Sequence, residues 1–237
     1  MLNRTIKRFY KDATTAAVEG GFAVQLDGRG VKTPATKALV LPTQPLAEAV
    51  AAEWRAQGEQ VQPHSMPLTQ LASTALDRVG PEREAIIGQL MGYAATDLLC
   101  YRVDSPADLV LRQTATWQPL LDWASLELDA PLKITATLLA VEQPADALAA
   151  LRRRLDSYDV WRLTVVQAAT AATGSLVLAL ALGEGRLTGA EVFQASQLDE
   201  TYQIEQWGED YEAADRRAAL QRDIEAAERL SALTLFR

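Results

Sequence analysis

The chain has 237 residues, 49% of them hydrophobic and 23% charged, with a single cysteine and a single histidine. That mixture excludes a disordered chain, a collagen and a coiled-coil rod, and the length allows a core that needs no disulfide or metal to staple it. The net charge of −8 repels phosphate backbones, so no nucleic-acid partner is expected.

Charge is uneven. Residues 1–80 carry nine Lys/Arg against seven Asp/Glu, and residues 81–237 carry fourteen against twenty-four. The acidic part could suit a basic partner surface, but a solvated acidic face is the commoner meaning of such a bias. Cys100 alone closes no internal disulfide, and with His64 it leaves no nitrogen and sulfur set for zinc. No metal or cofactor is therefore expected. The first eleven residues hold Arg4, Lys7, Arg8 and Lys11 without an acid and lack the apolar core of a secretory signal, so they read as the start of a folded domain.

Strands come first. Short apolar runs at 14–18 and 22–26 are bounded by Gly20-Gly21 and Asp27-Gly28, and further runs follow at 31–33 and 38–41. The segment Asp27-Gly28-Arg29-Gly30 signals a hairpin, because glycine supplies the positive φ a tight turn needs. An anion-binding nest is the other use of such a segment, but the turn already accounts for it. The expected product is a small antiparallel sheet of three or four strands.

Helices then take over. Thr43 as N-cap and Pro45 in the first turn open a helix with the stripe Leu46, Ala49, Val50 and Trp54, ending near Gly58. A second is expected over 67–79, and a third from Pro81 carrying Ile86, Ile87, Leu90, Met91 and Ala94. Residues 98–103 are ambiguous between strand and helix end. Ser105, with Pro106 and Asp108 behind it, caps a long helix through Trp117 and Trp123. After a β-branched interlude at 131–141, helices are expected at 144–158, 160–182, 189–207 and 209–233, with Thr188 and Glu191 as a capping box. The class is α+β: a small N-terminal antiparallel β domain with its following helices over 1–80, then a larger, mostly helical domain over 81–237.

Residues 163–183 carry no charge and are long enough to span a bilayer. Six alanines, Gln167, Gly174 and Ser175 dilute the run, and Arg162 and Glu184 bracket it symmetrically. A single buried central helix is the expected reading, with no stable membrane insertion; a membrane-associated segment is the weaker one. His64 sits in a proline-bracketed loop with no Ser or Cys beside it in a nucleophile elbow, and Cys100 reads as a small buried hydrophobe. Carboxylates are plentiful but nothing singles out one pair. A small-molecule enzyme using carboxylates in a helical cleft therefore stays as the alternative function.

The segment 198–212 is the most informative. Gln197, Thr201 and Glu205 form one polar strip and Asp199, Gln203 and Gln206 another, with apolar ridges Leu198–Tyr202 and Val192, Phe193, Ile204 and Trp207 between them. Such a helix either finds internal partners for its polar groups or turns one strip to a protein partner. Trp207 should end it at Gly208 in an αL stop, and Glu209, Asp210 and Glu212 suit the start of the next helix. Trp54 faces the same choice between core and interface anchor.

Several segments together resemble a known family. Residues Leu26-Asp27-Gly28-Arg29-Gly30-Val31-Lys32-Thr33-Pro34, then Leu41-Pro42-Thr43, Ala52-Glu53-Trp54-Arg55-Ala56-Gln57 and Met66-Pro67-Leu68-Thr69, are similar to the F1-ATP synthase assembly chaperones that bind the α subunit. Residues Tyr202-Gln203-Ile204-Glu205-Gln206-Trp207-Gly208 resemble that family's C-terminal signature, and the match runs in order from about Arg8 to Glu212. The resemblance implies a non-enzymatic chaperone that holds the unassembled α subunit until it pairs with β. It also implies a small β domain followed by a helical one. The partner-binding positions it carries over are Glu53 and Trp54 in the first signature and Glu205, Trp207 and Asp210 in the second. The short stretch before the matched region favours the bacterial cytoplasm, with the mitochondrial matrix as the alternative.

Overall fold

The computed structural model describes residues 6–137 and 141–234. The chain packs as two compact units, Met1–Arg83 with Arg229–Arg237, and Glu84–Glu228.

In the first unit, β1 (Ile6–Lys7) is followed by β2 (Ala13–Val18), β3 (Gly21–Leu26), β4 (Arg29–Gly30) and β5 (Val40–Leu41). Strands β2 and β3 pair antiparallel along their whole length, from Ala13↔Leu26 to Val18↔Gly21. Two short strands share the other edge of β3, β4 through Gln25↔Gly30 and β5 through Phe22↔Leu41. The hairpin signal at Asp27-Gly28 is a two-residue turn with φ of 48° and 78°, the double positive φ of type I′, whose twist matches that of the flanking strands. The strand expected at 31–33 is reduced to one bridge, Lys32↔Ala38. There the chain folds back on itself: Thr33 N donates to Lys37 O at 2.9 Å and Thr36 takes a positive φ of 66°.

Helix α1 (Gln44–Arg55) starts as expected, with Thr43 Oγ1 accepting from Leu46 N at 3.2 Å. The same hydroxyl donates to Leu233 O at 2.5 Å, so one cap ties two parts of this unit together. The buried face of α1 is Leu46, Ala47, Val50, Ala51 and Glu53, rotated from the expected stripe so that Ala49 and Trp54 lie at its margin. Strand β6 (Gln60–Val61) pairs with β1. A 3₁₀ turn at Pro63–Ser65 leaves His64 exposed, and α2 (Pro67–Thr74) runs on into a π turn at Ala75–Val79.

The second unit is helical. Helix α3 (Arg83–Ala95) buries Ile86, Ile87, Leu90 and Ala94. The ambiguous stretch after it is a 3₁₀ turn, Leu98–Cys100, followed by a bridge from Tyr101 to Thr135. Cys100 is buried, and burial pushes its thiol up to about 12, which suits a packing residue and not a nucleophile. Helix α4 (Ala107–Glu127) has Pro106 at its N-cap position, where no side chain caps it, and not Ser105, whose hydroxyl donates to Asp104 at 3.3 Å; Asp108 instead accepts from Tyr202 Oη at 3.0 Å. Of the interlude at 131–141, residues 138–140 lie outside the described residues. Around them, the Gln143 amide binds both the N–H and the C=O of Lys133.

Helix α5 (Ala145–Asp156) precedes the clearest departure from the sequence expectation. Residues 160–182 are not one helix. They form α6 (Val160–Thr173) and α7 (Leu176–Gly183), separated by Gly174 at φ 71° in the αL region and by Ser175, whose Oγ caps Leu178 N at 3.0 Å. No described helix is long and apolar enough to cross a membrane. Asp97, fully buried, secures the break: it accepts from Ser175 Oγ at 2.7 Å, Val177 N at 3.0 Å and Leu99 N at 3.1 Å. Burial raises its carboxyl above the ordinary range, and those donors work against that rise.

The expected helix at 189–207 also divides. Helix α8 (Gly189–Ser196) carries the capping box, with Thr188 Oγ1 accepting from Glu191 N and the Glu191 carboxylate accepting from Thr188 N at 2.8 Å. Gln197, at φ −106° and ψ 21°, separates it from α9 (Leu198–Trp207). Helix α10 (Tyr211–Thr234) completes the described chain.

Candidate functional site

The five positions carried over from the resemblance fall into two groups, one in each unit. Glu53 is 8% exposed. Its carboxylate accepts from Leu68 N and Thr69 N, both at 2.8 Å, and from Thr69 Oγ1 at 2.7 Å. These are the orphan donors at the start of α2, so Glu53 acts as that helix's cap from another element. Trp54 stands beside it at the margin of α1. Its ring packs edge-on against Tyr10 at 5.7 Å, and Tyr10 Oη donates to Trp54 O at 2.7 Å. The indole N–H is buried and has no hydrogen-bond partner among the described residues. Phe9, 69% exposed, lies edge-on to Tyr10 at the rim of a cavity of about 540 Å³ that Trp54 and Tyr10 also line.

The second group lies where α9 meets α10. One polar strip of α9 finds partners within the unit: Thr201 accepts from Arg217 at 3.3 Å and the half-exposed Glu205 pairs with Arg112 at 2.6 Å. Asp199 accepts from Gln113 Nε2 at 2.8 Å, while Gln203 and Gln206 remain exposed. The apolar ridge Leu198–Tyr202 is buried, but Trp207 is 78% exposed. Gly208 has φ 86° and ψ 165°, a positive φ with extended ψ and not the αL conformation expected, because the chain leaves α9 directly for the next cap. That cap is Asp210, whose carboxylate accepts from Ala213 N at 2.8 Å. Tyr211, 81% exposed, follows it. Two aromatic rings therefore stand in solvent on either side of Gly208, among the exposed acids Glu209, Asp210 and Glu212.

No local pattern signals what lies beside this ledge within the same unit. A groove of about 940 Å³ runs between α4 and helices α8–α10, with Arg112, Arg186 and Arg217 at its walls. These arginines are far apart in sequence and no local pattern links them. Their aromatic supports, Tyr202, Trp123 and Phe193, are equally dispersed. Elsewhere in the unit, Glu184 accepts from Arg154 Nε at 2.6 Å and from Tyr158 Oη at 2.5 Å. Burial opposes its ionisation, yet those two partners outweigh it and hold the carboxyl below the usual glutamate range.

Comparison with known proteins gives the family. The family of ATP12 chaperone proteins matches residues 7–125. The crystal structure of Atp12 from Paracoccus denitrificans is 40% identical with a TM-score of 0.92, covering 97% of this chain and 99% of that one. A protein of Agrobacterium tumefaciens is 42% identical at the same TM-score, covering 97% of this chain and 86% of its own. The mitochondrial protein atp12 of Schizosaccharomyces pombe is 27% identical over 216 residues, 86% of this chain and 74% of its own length. By sequence over half its length and by structure over nearly all of it, the chain belongs to the ATP12 family of ATP synthase assembly chaperones.

Proposed function

We propose that this protein holds the unassembled α subunit of F1-ATP synthase until that subunit pairs with β, and that it does so in the bacterial cytoplasm, by binding alone, without catalysis or a cofactor. The observation that carries the reading is the ledge at the α9–α10 junction, where Trp207 and Tyr211 are 78% and 81% exposed. Folded surfaces seldom leave two large rings so close in sequence both in water, and tryptophan and tyrosine are among the residues that most often anchor protein interfaces.

The client has a matching need. Obligate subunit interfaces bury on the order of 2,000–5,000 Å², and such a surface aggregates when left open. A holding chaperone must cover it and still give way to the true partner. An aromatic ledge set among acids, with Glu205 and Asp210 at its border, favours a contact that is specific but reversible. In the first signature, Trp54 with Phe9 supplies the contact and Glu53 keeps α2 in place behind it.

The reading is tested by mixing the purified protein with freshly diluted α subunit and following size exclusion with light scattering. A discrete complex, suppressed aggregation of α and release on adding β are expected. Glu205→Lys should weaken the complex while leaving helical circular dichroism and melting near wild type, since the Arg112–Glu205 pair is about half exposed and such pairs contribute about 0–1 kcal/mol. If α aggregates as it does alone and no complex elutes, the reading is wrong. If Glu205→Lys unfolds the protein, Glu205 is structural and leaves the site.

A further inference from the structure

The groove between α4 and helices α8–α10 has a character of its own. Its floor is apolar, built from Leu120, Leu187, Phe193 and Leu198, and its walls carry three guanidinium groups. This is a concentration of cations in a part of the chain whose sequence is strongly acidic. Each guanidinium lies over an aromatic ring: Arg112 over Tyr202 at 5.3 Å, Arg186 over Trp123 at 5.5 Å and Arg217 over Phe193 at 5.5 Å. Stacking fixes the plane of an arginine and leaves the N–H groups at its edge free for carboxylates.

Arg112 pairs with Glu205 in a half-exposed pair that an incoming carboxylate can displace at little cost, while the less exposed Arg217 pairs with Glu209 and also donates to Thr201. Arg186 has no carboxylate partner among the described residues. The one acid lining the groove, Glu191, is held in its capping box by Thr188.

We infer that this groove seats an acidic segment of the client polypeptide, with a large apolar side chain on the Phe193–Leu187 floor and flanking carboxylates on Arg186, Arg112 and Arg217. Cationic walls over an apolar floor fit such a segment and repel a basic one. The inference rests on the proposed holding of the α subunit and assigns part of that contact to a second surface, beside the aromatic ledge. Exchange of Glu205 for a client carboxylate on Arg112 would couple the two surfaces.

The test uses the full-length protein and a short fluorescein-labelled peptide of glutamates interspersed with leucine and phenylalanine, with a lysine-for-glutamate counterpart. Fluorescence anisotropy should show the acidic peptide bound and the basic one not. Affinity should fall about tenfold in Arg186→Glu and fall again as salt rises from about 0.1 to 0.5 M. Thr116→Trp, which fills the groove, should abolish binding with circular dichroism unchanged. Failure of the wild type to bind the acidic peptide, equal binding of both peptides, or binding unaffected by Arg186→Glu would each overturn the inference.

The same variants are then mixed with the α subunit. If wild type and Arg186→Glu hold α equally, the groove inference fails and the proposed function stands. If the acidic peptide binds in the groove and α is not held, the proposed function fails and the groove remains a peptide site. A wild-type dimer that Arg186→Glu dissociates would make the occupant a second copy of this chain, against the inference.

Discussion

Two helix breaks in the helical unit invite comparison. Both occur at a glycine of positive φ, Gly174 between α6 and α7 and Gly208 between α9 and α10, and at neither would an added Cβ meet another atom within 4 Å. Both are followed by a polar cap, Ser175 in one case and Asp210 in the other. Their surroundings differ entirely. Every residue of α7 is buried, and Asp97 reaches in from before the 3₁₀ turn to satisfy the free amide and hydroxyl at the break. At Gly208 no described residue covers Trp207 or Tyr211, and the acids around them face water. The same local chemistry makes a core joint in one place and a presentation surface in the other. What differs is which distant residues converge on the break.

The severest challenge to that contrast is a change at Asp97. Asp97→Ala leaves Ser175 Oγ and the amides of Val177 and Leu99 without that acceptor in a fully buried site, and about 3 kcal/mol or more of unfolding free energy should be lost. The denaturation midpoint measures this, and Asp97→Asn, which keeps one acceptor oxygen, should lose less. The glycines come next. Gly174→Ala should cost about 1–2 kcal/mol through its αL backbone alone, since there is space for the methyl group. Gly208→Ala, at φ 86° and ψ 165°, a region left almost wholly to glycine, should cost about 1–3 kcal/mol unless the exposed junction relaxes around the methyl group. A loss at Gly208 smaller than at Gly174 would show that the surroundings, and not the glycine itself, set the difference.

Acid titration probes the buried side further. Glu184 is held below the usual glutamate range when folded, so its contribution is complete above the unfolded value of about 4.3 and is lost as pH falls through the folded one. Glu184→Gln should therefore flatten the acid limb of the stability profile. The smallest effect on stability belongs to the exposed side. Trp207→Ala should shift unfolding by no more than about 0.5 kcal/mol and still weaken retention of the α subunit, as read by light scattering. A substantial loss of stability would return Trp207 to the core.

Much of the fold was legible in the sequence where the signal is local. The Asp27-Gly28 turn, the Thr43 cap and the Thr188–Glu191 box depend on backbone groups within a few residues, and all three form as expected. Helix breaks inside apolar runs were less legible. Gly174-Ser175 reads equally as a close-packing site within one helix, and only Asp97, far away in sequence, decides for a cap. The candidate site divides in the same way. The exposed Trp207 and the Asp210 cap sit in a recognisable signature, whereas Glu53 gave no local sign that its carboxylate would cap a helix beginning at Pro67. The groove arginines gave none at all.

Residue order was enough for the class of the fold, the succession of its elements, most of its caps and turns, and its membership of a chaperone family, because these rest on short-range periodicity, glycine and proline geometry, and ordered motifs. Three-dimensional packing alone settled where the uncharged run breaks, which face of α9 finds partners, which tryptophan stands in water, and that three arginines meet over one apolar floor. Those outcomes depend on side chains from distant segments competing for the same hydrogen bonds and the same buried volume, and no local pattern carries that information.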